Sequence, residues 1–144
     1  MDKLKKYLKP KNLMIAVGIC TIIISIWGMM DGEEWAKAGW GEENVLAHDE
    51  AYEKMWALHM MPLGVLAIGT GLFVTGKSLA KMAMLSPAVV VIIGGGMGYY
   101  TTQYDYGGPS GLATLIPVLT ILLVILLGVS GYLHKEDEEV MESA

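Results

Sequence analysis

Four long stretches without charged side chains constrain the fold of this chain more than any other feature. Apart from histidine, no acidic or basic residue occurs within 12–30, 55–76, 82–104 or 106–133. A transmembrane helix needs about 20 mainly apolar residues to cross about 30 Å of hydrocarbon, and each stretch supplies that length. The turns and charged faces that interrupt such runs in a soluble core are absent. We therefore predict an all-α integral membrane protein, a four-helix bundle with helices at about 13–30, 56–76, 82–101 and 112–133.

The chain has no long linker or low-complexity segment, so 1–144 is predicted to be a single transmembrane domain. Its first apolar run covers about 18 residues, more than a typical signal-peptide core. Three acids (Asp31, Glu33 and Glu34) also separate that run from the Ala36-Lys37-Ala38 triplet, which otherwise resembles a cleavage site. We expect the first helix to be retained.

The lysines predict the orientation in the membrane. All ten basic residues are lysine; five lie in the first eleven positions, and Lys77 and Lys81 lie between the second and third helices. The loops 31–55 and 102–111 carry only Lys37 and Lys54. By the positive-inside rule both termini are cytoplasmic and the two loops face outward. Tryptophans and tyrosines cluster at the same outer surface, where amphipathic rings are favoured. We expect a protein of the cell or inner membrane.

Small residues predict where the helices pack, because helices in lipid associate through close contact rather than hydrophobic burial. Gly94 and Gly98 form a small-xxx-small pair in the third helix, and Ala67 and Gly71 are spaced by four in the second. We expect these two helices to pack closely, and lipid and other membrane subunits to be partners. The Gly94-Gly95-Gly96 run indicates either a seam against a neighbouring helix or subunit, or a flexible point in the helix.

Candidate chemistry lies in the segment from Asp31 to His59. If 45–61 is helical, His48, Tyr52, Met55 and His59 fall within about 60° of one another. Imidazole and thioether suit copper, and Asp49 adds a carboxylate, so the candidate metal ligands are His59, His48, Met55 and Asp49. The two histidines are about 16 Å apart along a straight helix and cannot share one ion. The alternative is that all four are ordinary residues of the membrane interface.

Several functions are disfavoured by what the chain lacks. No Asp, Glu, Lys or Arg lies deep in a predicted helix, which argues against a pump, an ion-coupled transporter or a channel for charged solutes. No nucleophile elbow, phosphate loop or paired catalytic carboxylates occur, and no catalytic residue or nucleic-acid partner is predicted. The loop after the first helix holds eight acids and two lysines; it could collect cations, dock a basic partner, or simply be solvated.

One short run resembles a known family. Trp56 to Gly64 reads W-A-L-H-M-M-P-L-G, in which His59 is followed by Pro62-Leu63-Gly64. It is similar to the start of a helix in membrane-bound copper monooxygenases, where the C-type subunit of archaeal ammonia enzymes has a histidine shortly before Pro-Leu-Gly. The resemblance covers about ten of the 144 residues. The family's copper motif, Asp-x3-His-x12-His, is absent, so the resemblance implies no metal ligands here. It implies a small accessory subunit of such a complex.

Three functions follow from the sequence. The first is a structural or accessory subunit of a larger membrane complex, such as a copper-dependent oxidoreductase. The second is a redox protein that binds a metal or cofactor through His59 and His48. The third is a channel or carrier for a neutral small molecule, opening near Gly94–Gly98.

Overall fold

A computed structural model describes residues 2–108 and 115–136 of the chain. Within those residues every regular element of secondary structure is a helix, and no strand is present. The helices are α1 (Asp2–Tyr7), α2 (Pro10–Met30), α3 (Gly32–Trp40), α4 (Asp49–Phe73), α5 (Gly76–Met84), α6 (Ser86–Gln103) and α7 (Leu115–Leu133).

Four segments are long and apolar enough to cross a membrane: Pro10–Met30, Asp49–Phe73, Gly76–Gln103 and Leu115–Leu133. The chain is therefore a multi-pass integral membrane protein, and the predicted all-α fold with four spans is confirmed. The predicted start of the fourth helix at 112 lies outside the described residues. We call the end that holds α1, α5 and the last turn of α7 the inner end, and the end that holds α3 the outer end, following the predicted orientation.

The second span begins seven residues earlier than the apolar pattern predicts. Its first turn carries Asp49 and Glu50, and negative charge is favourable at the positive end of a helix. Asp49 also accepts the backbone N–H of Leu46 at 2.7 Å. Hydropathy detects only the part of a helix that lies in lipid, so the polar first turns were missed. Pro62 consequently lies inside the helix.

The third span is divided into α5 and α6 at Leu85. Pro87 lacks the N–H that would bond the Ala83 carbonyl and continue α5. The chain makes a tight turn here, in which the Leu85 N–H bonds the Met82 carbonyl at 3.1 Å. The Ser86 hydroxyl is 2.8 Å from the Ala83 carbonyl and 2.9 Å from the Val124 carbonyl. The hydrogen bond to Val124 holds the break between α5 and α6 against α7.

The tightest helix pair is α2 with α4, which run antiparallel. A Cβ added at Gly18 would lie 2.6 Å from the Gly64 carbonyl oxygen, and one at Gly64 would lie 2.8 Å from the Gly18 carbonyl oxygen. Further along the same seam, a Cβ at Gly28 would lie 2.8 Å from the Ala57 methyl. Glycine is thus required at the crossing because the two backbones touch.

The expected close packing of the second and third spans is wrong. Gly71 does lie at a helix contact, but against α2: a Cβ there would lie 2.8 Å from Ile15 Cγ1. Ala67 packs on the small core described below. Gly94 and Gly98 have no atom of another element within 4 Å of an added Cβ. The short turn into α5 directs the third span onto α7 instead of back onto α4.

A small core of buried apolar side chains lies at the inner end. It consists of Met14 from α2, Leu79 and Ala83 from α5, and Leu127 from α7. Backbones approach closely here too, since a Cβ at Gly131 would lie 2.5 Å from the Ala80 carbonyl oxygen. The inner end of the bundle is therefore its compact part, and the middle of α6 is not part of the core.

Candidate functional site

The loop predicted at 31–55 contains a helix of its own, α3. Its buried residues are Gly32, Ala36 and Gly39, spaced so that all three fall on one face. Gly32 abuts α4, because a Cβ there would lie 3.1 Å from the Glu50 carbonyl oxygen. The edge of Trp35 packs against Trp27, with ring centroids 5.8 Å apart. The spacing of these small residues in the sequence is the signal that could have predicted a helix packed on its small-residue face.

A second group joins the outer end of α6 to α3 and α4. The Tyr106 hydroxyl donates a 2.5 Å hydrogen bond to Glu53, and its ring packs edge-on against Trp40 at 4.9 Å. The same ring covers Gly39, and the Gly107 N–H bonds the Gly39 carbonyl at 2.5 Å. The pKa of Tyr106 is raised above its usual range, mainly by partial burial and secondly by the hydrogen bond to Glu53. We call Trp40, Glu53 and Tyr106 the outer junction.

The outer junction was not predicted from the sequence. Tyr106 and Glu53 are 53 positions apart, and neither belongs to a local motif. Only the folded path of α6 across the bundle brings them together. The junction contains no nucleophile paired with a base, so its geometry supports a structural role in holding the outer end of α6.

The acids of the outer segment are mostly engaged with other groups of the chain. Lys37 pairs with Glu33 at 2.9 Å and Glu34 at 2.8 Å, which raises the pKa of Lys37 and lowers that of Glu33. Four further acids have partners as well: Asp31 with the Trp27 indole, Asp49 with the Leu46 N–H, Glu50 with Lys54, and Glu53 with Tyr106. The segment is a folded polar cap rather than an open acidic loop.

The candidate ligands His48 and Asp49 lie at the start of α4. His48 is 59% exposed, its Nε2 lies 3.5 Å from an Asp49 carboxylate oxygen, and its ring packs edge-on against Tyr52 at 5.4 Å. Asp49 is buried and already accepts the Leu46 N–H. Asp49 therefore serves the helix start, and His48 lies on the surface.

The other two candidates, His59 and Met55, lie one turn apart further along α4. Nδ1 of His59 is 2.6 Å from the Met55 carbonyl oxygen. Both side chains are exposed. The hydrogen bond leaves Nε2 of His59 as the ring atom able to meet a ligand from outside the chain.

The four predicted ligands are not brought together around one point. Across the described ranges, 2–108 and 115–136, no group of three or more His, Cys, Asp or Glu side chains is placed to hold a metal ion. The inward contacts of Asp49 and the separation of His48 from His59 account for this.

The middle of α6 is the most exposed glycine surface of the described chain. None of the residues of α6 is buried. An added Cβ at Gly94, Gly95, Gly96 or Gly98 would meet no atom of another element within 4 Å. We call Gly94 and Gly98, which lie within about 40° of each other around the helix, the α6 glycine face; Gly95 and Gly96 lie beside it. No protein-family model, curated protein or solved structure matches the chain.

Proposed function

We propose that the chain is an accessory subunit of a larger membrane complex, in which the α6 glycine face receives a transmembrane helix of another subunit. The observation that carries the proposal is that this face is uncovered within the described chain, while glycines such as Gly18, Gly71 and Gly131 lie directly against a neighbouring helix. In lipid, small residues at i and i+4 allow two helix backbones to approach closely.

The composition of α6 supports a packing role for these glycines. Each glycine inside a helix costs about 1 kcal/mol relative to alanine, so three in succession weaken α6 unless a contact compensates. Within the described chain no contact does so. A partner helix that packs over Gly94 and Gly98 supplies the missing contact.

The position of α6 also suits a helix onto which a partner helix docks. Its inner start is held against α7, where Pro87 abuts Gly128, and its outer end is held by the outer junction. Its 18 residues span about 27 Å, close to the hydrocarbon thickness of a bilayer. Fixed ends and an exposed middle present the glycines to the membrane interior without requiring the bundle to open.

The proposed complex is a membrane-bound oxidoreductase of the copper monooxygenase kind. Support for this part of the proposal comes from the sequence resemblance around His59-x2-Pro62-Leu63-Gly64. Pro62 lies within α4 one turn after His59, and the imidazole is exposed on the surface of the chain. In this proposal the redox chemistry resides in the partner subunits.

Gentle extraction from the native membrane, followed by affinity purification and mass spectrometry, tests the proposal. The wild-type chain should co-purify with other membrane proteins, and Gly94→Leu/Gly98→Leu should lose them while keeping its own fold. Gly69→Leu is the matched control, because an added Cβ at Gly69 meets only Phe73, at 3.9 Å. A wild-type chain that runs as a monomer, or as an oligomer of itself alone, would overturn the proposal.

The redox and carrier alternatives predict different outcomes. A chain that is itself a redox protein should retain stoichiometric copper or haem after purification and lose it in His59→Ala. A carrier should pass a neutral solute into liposomes, and Gly95→Leu should block the flux. In our proposal the purified chain is metal-free and does not conduct, and copper follows the co-purified subunits.

A further inference from the structure

The inner end contains a pocket of about 280 Å³ with a basic lining. The pocket lies just below the size of sites that hold drug-like molecules, about 300–1,000 Å³. It is lined by Lys5, Lys9, Pro10, Lys11, Gly76, Leu79 and His134. Of the described residues, no acidic side chain lines it. Glu136, the described acid nearest in sequence to His134, pairs with Lys77 at 3.9 Å outside the lining.

The lining is assembled from both ends of the chain. Lys5 lies in the last turn of α1, and Lys9 and Lys11 flank the first residue of α2. The fully buried Ser130 of α7 donates a 2.7 Å hydrogen bond to the Leu8 carbonyl, between those lysines. Ser130 also places His134, whose Nδ1 lies 2.9 Å from the Ser130 carbonyl oxygen. This hydrogen bond joins residues 122 positions apart in the sequence and so holds the basic groups of both chain ends around the pocket.

Two helices begin at the pocket and add to its positive character. α2 starts at Pro10 and α5 at Gly76, and neither start has a side-chain cap hydrogen bond. The first turn of a helix lies at the positive end of the helix dipole. Gly76 has φ +55°, a conformation that glycine adopts without strain and that lets the chain turn sharply into α5.

We propose that this pocket binds the phosphate group of an anionic phospholipid from the adjacent leaflet. The first and third spans begin at the pocket, and the fourth ends beside it at Leu133, so the pocket lies at headgroup depth. Lysines in such a position attract anionic lipids. Pro10 and Leu79 give the pocket an apolar part next to the lysines, which suits the glycerol and the first acyl carbons.

Binding can be measured on the full-length chain, delipidated in a neutral detergent and titrated with phosphatidylglycerol. Native mass spectrometry counts retained lipid, and the melting temperature reports its effect on the fold. We expect one retained lipid, and a loss of affinity of roughly fivefold for each lysine removed, so that Lys5→Gln/Lys9→Gln/Lys11→Gln weakens binding by about a hundredfold. Phosphatidylcholine with the same chains should not be retained.

The matched control removes three other lysines from the same side of the membrane, as Lys77→Gln/Lys81→Gln/Lys135→Gln. None of them lines the pocket, and affinity should fall far less. Equal losses in the two triple variants would show general attraction to a basic surface and overturn the proposal. Inorganic phosphate is the separate probe: displacement of the lipid by millimolar phosphate would make free phosphate the ligand and contradict the lipid assignment.

Discussion

The α2–α4 pair and α6 both contain several glycines, and they use them in opposite ways. Along α2 and α4, Gly18, Gly64 and Gly71 face a neighbouring backbone so closely that a methyl group would not fit. Along α6, Gly94 and Gly98 face nothing within the described chain. Since small residues serve close helix contact in lipid, the glycines of α2 and α4 are used within the chain, and the uncovered glycines of α6 support the proposed partner helix.

The same substitution, glycine to alanine, should therefore have opposite effects in the two regions, and the larger effect is expected at the α2–α4 crossing. A Cβ at Gly18 would lie 2.6 Å from both the Gly64 carbonyl oxygen and Ile68 Cγ1. The backbone oxygen cannot move without separating the helices, so Gly18→Ala should destabilise the chain by about 2–3 kcal/mol, in the upper range for overpacking.

Unfolding of Gly18→Ala by dodecyl sulfate in mixed micelles, followed by circular dichroism, measures that loss. Gly69→Ala in α4 is the control, because an added Cβ there makes only an ordinary contact at 3.9 Å. Equal stability of the two variants would contradict the close crossing.

The outer junction offers the next largest effect, since it holds the outer end of α6 to the rest of the bundle. Tyr106→Phe removes the hydrogen bond to Glu53, and a bond to a charged group contributes about 1.5–3 kcal/mol. Because Tyr106 is only half-buried, we expect a loss of about 1–2 kcal/mol. Tyr104→Phe, at an exposed neighbour, should change stability very little.

The pH dependence distinguishes this hydrogen bond from packing alone. Folding raises the pKa of Tyr106 above the ordinary value of 10.0, so the folded state favours the neutral hydroxyl. Its contribution is complete below about pH 10 and is lost as the pH rises towards the raised pKa. Wild-type stability should therefore fall more steeply than that of Tyr106→Phe above pH 10. Parallel curves would show that the hydroxyl does not contribute.

Hydropathy was sufficient to predict the number and approximate position of the spans, because each apolar run matches the bilayer thickness. It missed the first turns of α4 and all of α3, since those residues lie at the membrane surface and bear charges such as Asp49 and Glu33. The spacing of the small residues is the same in α6 (Gly94 and Gly98) and in α4 (Ala67 and Gly71), so it could not predict that Gly71 is covered and Gly94 is not. That difference depends on the direction in which the turn at Gly76 sends the chain.

The candidate chemistry was harder to predict for a related reason. The helical periodicity correctly placed Met55 and His59 on adjacent turns, but a metal site needs ligands from several directions. The Asp49 carboxylate is instead taken up at the start of α4 by the Leu46 N–H, three positions earlier in the chain. Likewise, no local pattern relates Tyr106 to Glu53, because Tyr106 follows the end of α6 and Glu53 lies in α4.

The smallest expected effect, and the one of opposite sign, is at Gly95, beside the α6 glycine face. Gly95→Ala places a methyl group where no other element lies within 4 Å, and alanine is the better helix former by up to about 1 kcal/mol. The isolated variant should therefore be as stable as the wild type or more stable by about 0.5–1 kcal/mol, measured by the same dodecyl sulfate unfolding. A loss comparable with that of Gly18→Ala would mean that α6 packs within its own chain, and the distinction between the two glycine regions would fail.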